Sequence, residues 1–370
     1  MSSFDAIDIH RPDLARSYLQ LLASQPGRPL ALFGPRRVGK TWFLDHDLAP
    51  VAREAGLLPV YADLWLNKAA PLEAINHALE EALDDLRVPP GTIGRLARTP
   101  VKKIGALGAS IDLGDEPRRR ALPDDAALRF DALVVRLALE HGARVLLLLD
   151  EAQTLGDTDR SGDLLATLRA VLHKRQDQVE AVLTGSSQEA LARILSAAGT
   201  PMYQFAQLLT FPPLGDEFLV RLTDRFAEVH HGRAPRLEDL RQLFARVGFK
   251  PALLRDIVKT MSAEGEVDPE AGLAHFMADE RQVAGWQALL NTLDAFEQAV
   301  LLAVAQRLPP LGKETRARLA AIPGVSPSVA KVRTALEKLK RGGLLTRTGD
   351  GLALEDELFA AYLVARDGAR

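Results

Sequence analysis

Cysteine is absent from all 370 residues, so disulfides, thiolate metal sites and cysteine nucleophiles are excluded. Long apolar runs are missing too: stretches such as Val145 to Leu149 fall far short of the roughly 18 residues that span a bilayer. The opening residues, Met1-Ser2-Ser3-Phe4-Asp5, carry neither a basic region nor an apolar stretch, so no secretion signal is expected. The eight histidines show no H-x-x-x-H spacing, and His230-His231 falls on a polar helix end, where a surface position is expected rather than a metal site. No G-x-S-x-G elbow and no G-x-G-x-x-G turn occurs, which leaves serine-hydrolase and dinucleotide chemistry without support. There is no internal repeat and no low-complexity tract.

What is present is 47% apolar and 26% charged, which excludes a wholly disordered or collagen-like chain. The length suits two or three domains. The net charge of −3 excludes a chain that is basic throughout but leaves local patches open. A soluble cytoplasmic protein without a membrane partner is expected, and the preference for arginine over lysine points to a GC-rich bacterial genome.

The first two hundred residues alternate buried β runs (Pro29 to Phe33, Leu58 to Leu64, Arg144 to Asp150, Val179 to Thr184) with helical patterns (Lys40 to Ala55, Pro71 to Leu86, Asp124 to His141, Gly162 to Arg175). That rhythm predicts a three-layer α/β domain with a mostly parallel sheet. Pro89 to Ala121, rich in Pro, Gly and Arg, reads as an insertion or loop with a small hairpin over Ile104 to Leu113. After Gly215 the pattern is helical: Glu217 to His230, Arg236 to Val247 and Lys250 to Ala263, with acidic Glu264 to Glu270 as an expected boundary. The last ninety residues predict helix (Asn291 to Arg307), helix (Lys313 to Ile322), turn (Pro323 to Val325) and helix (Pro327 to Arg341). A hairpin (Leu344 to Thr348, Leu352 to Glu355) and a final helix (Asp356 to Arg366) follow, in the order of a winged helix-turn-helix. The expected divisions are 1–212, 213–280 and 285–370.

Gly34-Pro35-Arg36-Arg37-Val38-Gly39-Lys40-Thr41 fits G-x-x-x-x-G-K-[ST] in full, after an apolar strand and before a helix. The glycines let the backbone curl so that its N–H groups face phosphate oxygens, and the helix N-terminus adds its positive end. Lys40 is expected to reach the β and γ phosphates and Thr41 to ligate Mg²⁺, with Trp42 counted among the nucleotide contacts. Val145 to Leu149 followed by Asp150-Glu151 places two carboxylates at the C-terminal edge of the sheet, where open α/β sheets bind ligands. Asp150 is expected to hold Mg²⁺ through water, and Glu151 to deprotonate the attacking water. Thr184-Gly185-Ser186-Ser187 closes another strand. Ser186 first, or Thr184, could sense the γ-phosphate, or these residues could cap a helix. In Gly248-Phe249-Lys250-Pro251, Pro251 suits a first helical turn and is counted among the nucleotide contacts, and Lys250 either faces a phosphate or simply starts the helix.

These motifs together resemble the AAA+-related STAND ATPases, nearest to the prokaryotic branch labelled archaeal-type ATPases. The resemblance covers nearly the whole chain outside Pro89 to Ala121. It implies a P-loop NTPase parallel sheet of order 5-1-4-3-2, a helical lid and a C-terminal winged helix-turn-helix whose last helix opens with Asp356-Glu357-Leu358-Phe359. It also implies bound ATP or ADP with Mg²⁺, and adenine held between the N-terminal segment and the lid. Arg11, within His10-Arg11-Pro12, is then a candidate base contact. Relatives often carry an arginine soon after a Pro-x-Tyr-like segment; here Pro201-Met202-Tyr203 is followed by Gln204-Phe205-Ala206, so no trans-acting arginine finger is identified, and Arg193 would be only a guess.

From Pro310 to Arg347 nine basic residues face two acidic ones, a local charge of +7 that leaves −10 for the rest of the chain. On the Pro327 to Arg341 helix, Val329, Val332, Leu336 and Leu339 are expected to face the core. Ser328, Lys331 and Lys338 then lie on another face, where a recognition helix would meet double-stranded DNA, with Arg347 and the Gly349-Asp350-Gly351 tip as a wing against phosphate. The alternative is a winged helix that docks a protein partner or a second copy. The expected function is a Mg²⁺-dependent ATPase acting as a nucleotide-gated, DNA-engaging switch; the alternative is an ATP-holding scaffold without turnover.

Overall fold

The computed structural model describes residues 4, 7–86, 121–156, 161–186, 191, 194–195, 199–321, 327–348 and 351–368. Residues 89–120 of the expected insertion, with its hairpin, lie outside them, as do Ser187, Arg193, the Pro323–Val325 turn and Gly349-Asp350 of the wing tip.

Helix α1 (Pro12–Ser24) leads into strand β1 (Leu30–Phe33). One continuous helix, α2, comprises Lys40–Phe43, a π-helical turn at Leu44–Leu48 and Ala49–Glu54. Then come β2 (Leu58–Asp63), α3 (Pro71–Asp85), α4 (Ala126–His141) and β3 (Val145–Asp150). They are followed by a 3₁₀ turn (Ala152–Gly156), α5 (Ser161–Lys174), β4 (Val179–Gly185) and β5 (Gln207–Thr210). The five strands are parallel and ordered β2-β3-β4-β1-β5, the order the resemblance implies. β5, mixed in composition and four residues long, was not among the strands expected from patterning.

The strand side chains alternate between two cores, as a period of two demands. Val145, Leu147 and Leu149 join α3, α4 and α5 through Leu79, Phe130 and Leu168. Leu146 and Leu148 face the other way, onto α1 and α2 through Tyr18, Leu22, Phe43 and Leu48. β3 is buried along its whole length, so both faces must be apolar, which accounts for its unbroken run. α4 is bounded by Asp125, whose carboxylate accepts from the N–H groups of Ala127 and Leu128, and by Gly142 in the left-handed region.

The remainder is helical apart from one hairpin. It comprises α6 (Asp216–Val229), α7 (Leu237–Arg246), α8 (Pro251–Glu264), α9 (Pro269–Ala278), α10 (Glu280–Asn291), α11 (Ala295–Ala305), α12 (Lys313–Ala320), α13 (Val329–Arg341), β6 (Leu345–Thr348), β7 (Gly351–Leu354) and α14 (Glu357–Gly368). β6 and β7 pair antiparallel. A single apolar cluster runs from Phe218 and Phe244 through Trp286 and Val300 to Leu339 and Phe359, so the segments 213–280 and 285–370 share a core. Val329 is a correction to the expected core face of α13: it is 38% exposed, and Val332, Ala335, Leu336 and Leu339 are buried instead. Among the described residues, no helix is long and apolar enough to cross a membrane.

The acidic stretch at 264–270 is a tight turn rather than a break. Gly265 takes φ 69° at the end of α8, Asp268 caps α9, and α9 folds back onto α8. Gly272 permits that approach, because a Cβ there would stand 2.1 Å from Cγ of the fully buried Met261. Gly272→Ala should therefore destabilise the chain by about 1–3 kcal/mol, the usual cost of overpacking, read as a shifted urea midpoint. An unchanged midpoint would mean that the two helices can part freely.

Candidate nucleotide site

β1 delivers the backbone to the loop 34–41. The Gly34 N–H donates to the Gly185 carbonyl at 3.3 Å, pinning the loop to the end of β4. A Cβ on Gly34 would lie 3.3 Å from both Phe211 Cβ and Val38 Cγ2, and Gly39 takes φ 96° immediately before α2. These are the two positions where the turn requires glycine. Lys40, the first residue of α2, is buried beneath the loop, with Nζ donating to the carbonyls of Gly34 (2.5 Å) and Pro35 (2.7 Å). Burial lowers its pKa to about 8, and the carboxylates of Glu151, Asp150 and Glu355 oppose the fall.

Asp150, at the end of β3, is 4% exposed and accepts four hydrogen bonds. Thr41 Oγ1 donates to Oδ2 at 2.6 Å, and the Tyr61 hydroxyl donates to the same oxygen at 3.2 Å. Thr184 Oγ1 and the Glu151 N–H (3.0 Å) serve Oδ1. Burial, then the charge of Asp150, raises the Tyr61 pKa well above its ordinary value, so the phenol stays a donor. Glu151 sits at φ 56°, a left-handed backbone that costs a non-glycine residue roughly 1–2 kcal/mol. Its Oε2 accepts from Gln153 Nε2 and from Ser186 Oγ at 3.1 Å. Ser186 Oγ in turn lies 3.4 Å from Arg36 Nε, which closes a chain from loop to acid. A glycine-containing loop over a buried lysine, a threonine bonded to an aspartate, and a second carboxylate beyond them form an arrangement that phosphoryl transfer can use.

No protein-family model matches this chain, and no curated protein matches its sequence. Solved structures do. The Walker-type ATPase PABY2304 of Pyrococcus abyssi superposes with a TM-score of 0.60 at 18% identity, over 97% of this chain and 99% of that one. The Aeropyrum pernix ORC2 protein in its ADP form gives 0.52 at 18% identity, over 97% and 94%. Its ADPNP–ADP complexes give the same score over 97% and 93%. The chain has the AAA+ P-loop NTPase fold. In this AAA+ fold the loop 34–41 and the Asp150-Glu151 pair meet at the C-terminal edge of the sheet, together with Thr184 and Ser186 from β4 and its end.

Other sequence candidates have different duties. The Arg11 guanidinium donates to the Pro212 carbonyl at 2.8 Å and lies over the rings of Phe211 (4.4 Å) and Phe43 (5.2 Å), so it braces the N-terminal segment rather than standing free to meet a base. His10 pairs with the buried Asp47 of the π turn at 3.0 Å. Trp42, half-buried, stacks on His46 at 4.7 Å and tilts against His10 at 5.0 Å. Pro251 is buried in the first turn of α8. Lys250 takes the second of its two expected roles, as the residue at the start of α8, and its Nζ donates to the Glu355 carbonyl and to Glu357 Oε2 at 2.6 Å.

Glu355 is the residue that local patterning missed. Its Oε1 accepts the backbone N–H of Arg36 at 3.2 Å, across 319 residues of sequence. Burial raises its pKa, while the Arg36 N–H and the charge of Lys250 hold it down. Loop, α8 and hairpin thereby enclose a cavity of about 450 Å³, whose lining includes Arg36, Arg37, Lys250, Trp286, Glu355 and Phe359. Tyr61 and Gln153 were also missed. Tyr61, at the same sheet edge as Asp150, was the more findable of the two.

Of the residues expected to touch DNA, Ser328, Lys331 and Lys338 are exposed and also make internal contacts. Ser328 Oγ caps α13 by accepting the Lys331 N–H at 3.2 Å. Lys331 Nζ lies 4.9 Å from the Phe296 ring centre, and Lys338 Nζ neutralises the buried Glu297 at 2.5 Å. Arg347 lies on β6.

Lys40 also gives this site a pH dependence with a definite sign. A phosphate ligand favours protonated Lys40 and raises its pKa from about 8. Nucleotide affinity should be full below that pH and then fall by up to roughly tenfold per unit above it, until the pKa of the bound form is passed. Fluorescent-nucleotide titrations across this range check it, and a flat profile would mean that Lys40 does not meet phosphate.

Proposed function

We propose that this chain is a Mg²⁺-dependent, ATP-hydrolysing switch of the STAND type, with a nucleotide domain (1–212), a helical lid (213–280) and a winged helix (285–370). The 2.6 Å hydrogen bond from Thr41 to Asp150 carries the reading. It spends the threonine's hydrogen on the aspartate and leaves the Oγ1 lone pairs for a hard cation, with Asp150 beside it for that cation's water shell. Such an oxygen pair, from one hydroxyl and one carboxylate, fits Mg²⁺, which would supply charge neutralisation between the β and γ phosphates. The Gly34–Thr41 backbone and Lys40 hold the phosphates. Glu151, fixed through Oε2 by Gln153 and Ser186, takes the proton of the attacking water.

The contact between Glu355 and the Arg36 N–H supports the switch. A carboxylate oxygen there uses a donor that a phosphate would otherwise use, so nucleotide and hairpin compete for one group. Binding therefore biases the docking of the winged helix. The second reading, a scaffold that recruits a protein partner or a second copy through the winged helix, draws support from Lys331 and Lys338, which each already have an internal partner, Phe296 and Glu297.

Lys40→Ala should abolish nucleotide binding, whereas Glu151→Gln should keep it and lower turnover by roughly 10²–10⁴-fold, the range of general-base catalysis. Nucleotide that co-purifies with a wild-type chain showing no turnover would instead establish the scaffold. For DNA, full-length chain with Lys331 and Arg347 neutralised should bind duplex more weakly and with a shallower salt slope, by about 0.9 per lost phosphate contact. Unchanged, salt-insensitive binding would leave the protein-docking reading in place.

A further inference from the structure

We infer that Arg36 supplies, from the chain's own phosphate loop, the cation that meets the γ-phosphate during hydrolysis. The inference rests on the nucleotide reading above and names the group that completes it. Its guanidinium lies on the acidic side of the loop: Nε is 3.4 Å from Ser186 Oγ, and Ser186 bonds the Glu151 carboxylate at 3.1 Å. A water activated by Glu151 must attack the γ-phosphorus, so a cation joined to Glu151 through one hydroxyl stands on the γ side rather than the α side. The same residue already holds an anionic oxygen, since its backbone N–H donates to Glu355 Oε1.

The guanidinium is also held in place. Its Cζ lies 5.1 Å from the Trp65 ring centre, and Gly343 is packed so closely that a Cβ there would come within 2.9 Å of Nη1. Its Nη atoms donate to no side chain among the described residues, which leaves the planar fork for a phosphate. Of the other cations, Lys250 is held by the Glu355 carbonyl and Glu357 and Arg11 by the Pro212 carbonyl, while Arg37 lines the same cavity but, among the described residues, makes no bond to the Ser186–Glu151 pair. In the hydrolytic step, the water oxygen bonds to the γ-phosphorus and its proton passes to Glu151. The bond from that phosphorus to the β–γ bridging oxygen breaks, and the electron pair departs on ADP. Arg36 balances the charge that gathers on the γ oxygens.

The opposing interpretation is that Arg36 merely ties the loop to the hairpin. Dissociation constants for ADP and for a non-hydrolysable ATP analogue, measured on the full chain, separate the two. Arg36→Ala should weaken the ATP analogue by roughly tenfold or more while leaving ADP nearly unchanged, and Arg36→Lys should restore part of the difference. Glu355→Gln, which relaxes the tether alone, should move both nucleotides alike and leave their ratio intact. An equal loss for both nucleotides in Arg36→Ala, or none, would overturn the assignment, as would turnover per chain that climbs with protein concentration. A wild-type chain that binds neither nucleotide would refute the nucleotide reading itself.

Discussion

Everything at the sheet edge depends on the carboxylate of Asp150. It is nearly shut off from solvent, and a buried carboxylate is tolerated only when donors surround it. The donors come from separate pieces of the chain: Thr41 at the start of α2, Tyr61 on β2, Thr184 on β4, and the backbone of Glu151. Satisfying one group thus sets the position of the phosphate loop against three strands. It also turns the next residue into a left-handed conformation, which brings Glu151 toward Ser186 and Gln153.

A second constraint links that edge to the far end of the chain. Lys250 is buried and Glu355 half-buried: Lys250 holds the hairpin end through the Glu355 carbonyl and the Glu357 carboxylate, while Glu355 reaches the loop. Gly248, at φ 70°, permits the close approach, since a Cβ there would stand 2.6 Å from Glu357 Oε1. In the proposed switch, a change in what occupies the loop 34–41 would be felt at the hairpin through a single N–H. No long path of intermediates is needed.

The charge excess from Pro310 to Arg347 lies at the surface but is partly paired: Lys331 is exposed, and the Lys338 side chain is 57% exposed. The segment carries +7, yet Lys338 spends its charge on Glu297, which the capping box at the start of α11 holds inside the core. Lys331 lies against Phe296, with its ammonium facing the ring. A positive count along the chain is an average over such pairings, and only the packing says which cations still face solvent.

The alternation of buried runs and helices, the glycines at 34 and 39, and the Lys40-Thr41 and Asp150-Glu151 pairs were all legible in the sequence. Each of these is a local matter: periodicity, a turn that excludes side chains, or chemistry carried by adjacent residues. β5 was not legible, because its four mixed residues become a strand only by pairing with β1. The duties of Arg11, Lys250, Tyr61, Gln153 and Glu355 were not legible either. Arg11, Lys250, Tyr61 and Glu355 meet their partners across large sequence separations, and Gln153, though close to Glu151 in sequence, acts through the turn that follows β3. The sequence by itself determined the loop 34–41 and the Asp150-Glu151 pair, since each is a contiguous motif. Only the tertiary structure decided which cations and carboxylates are free to take part, because a buried charge must find its partner in space.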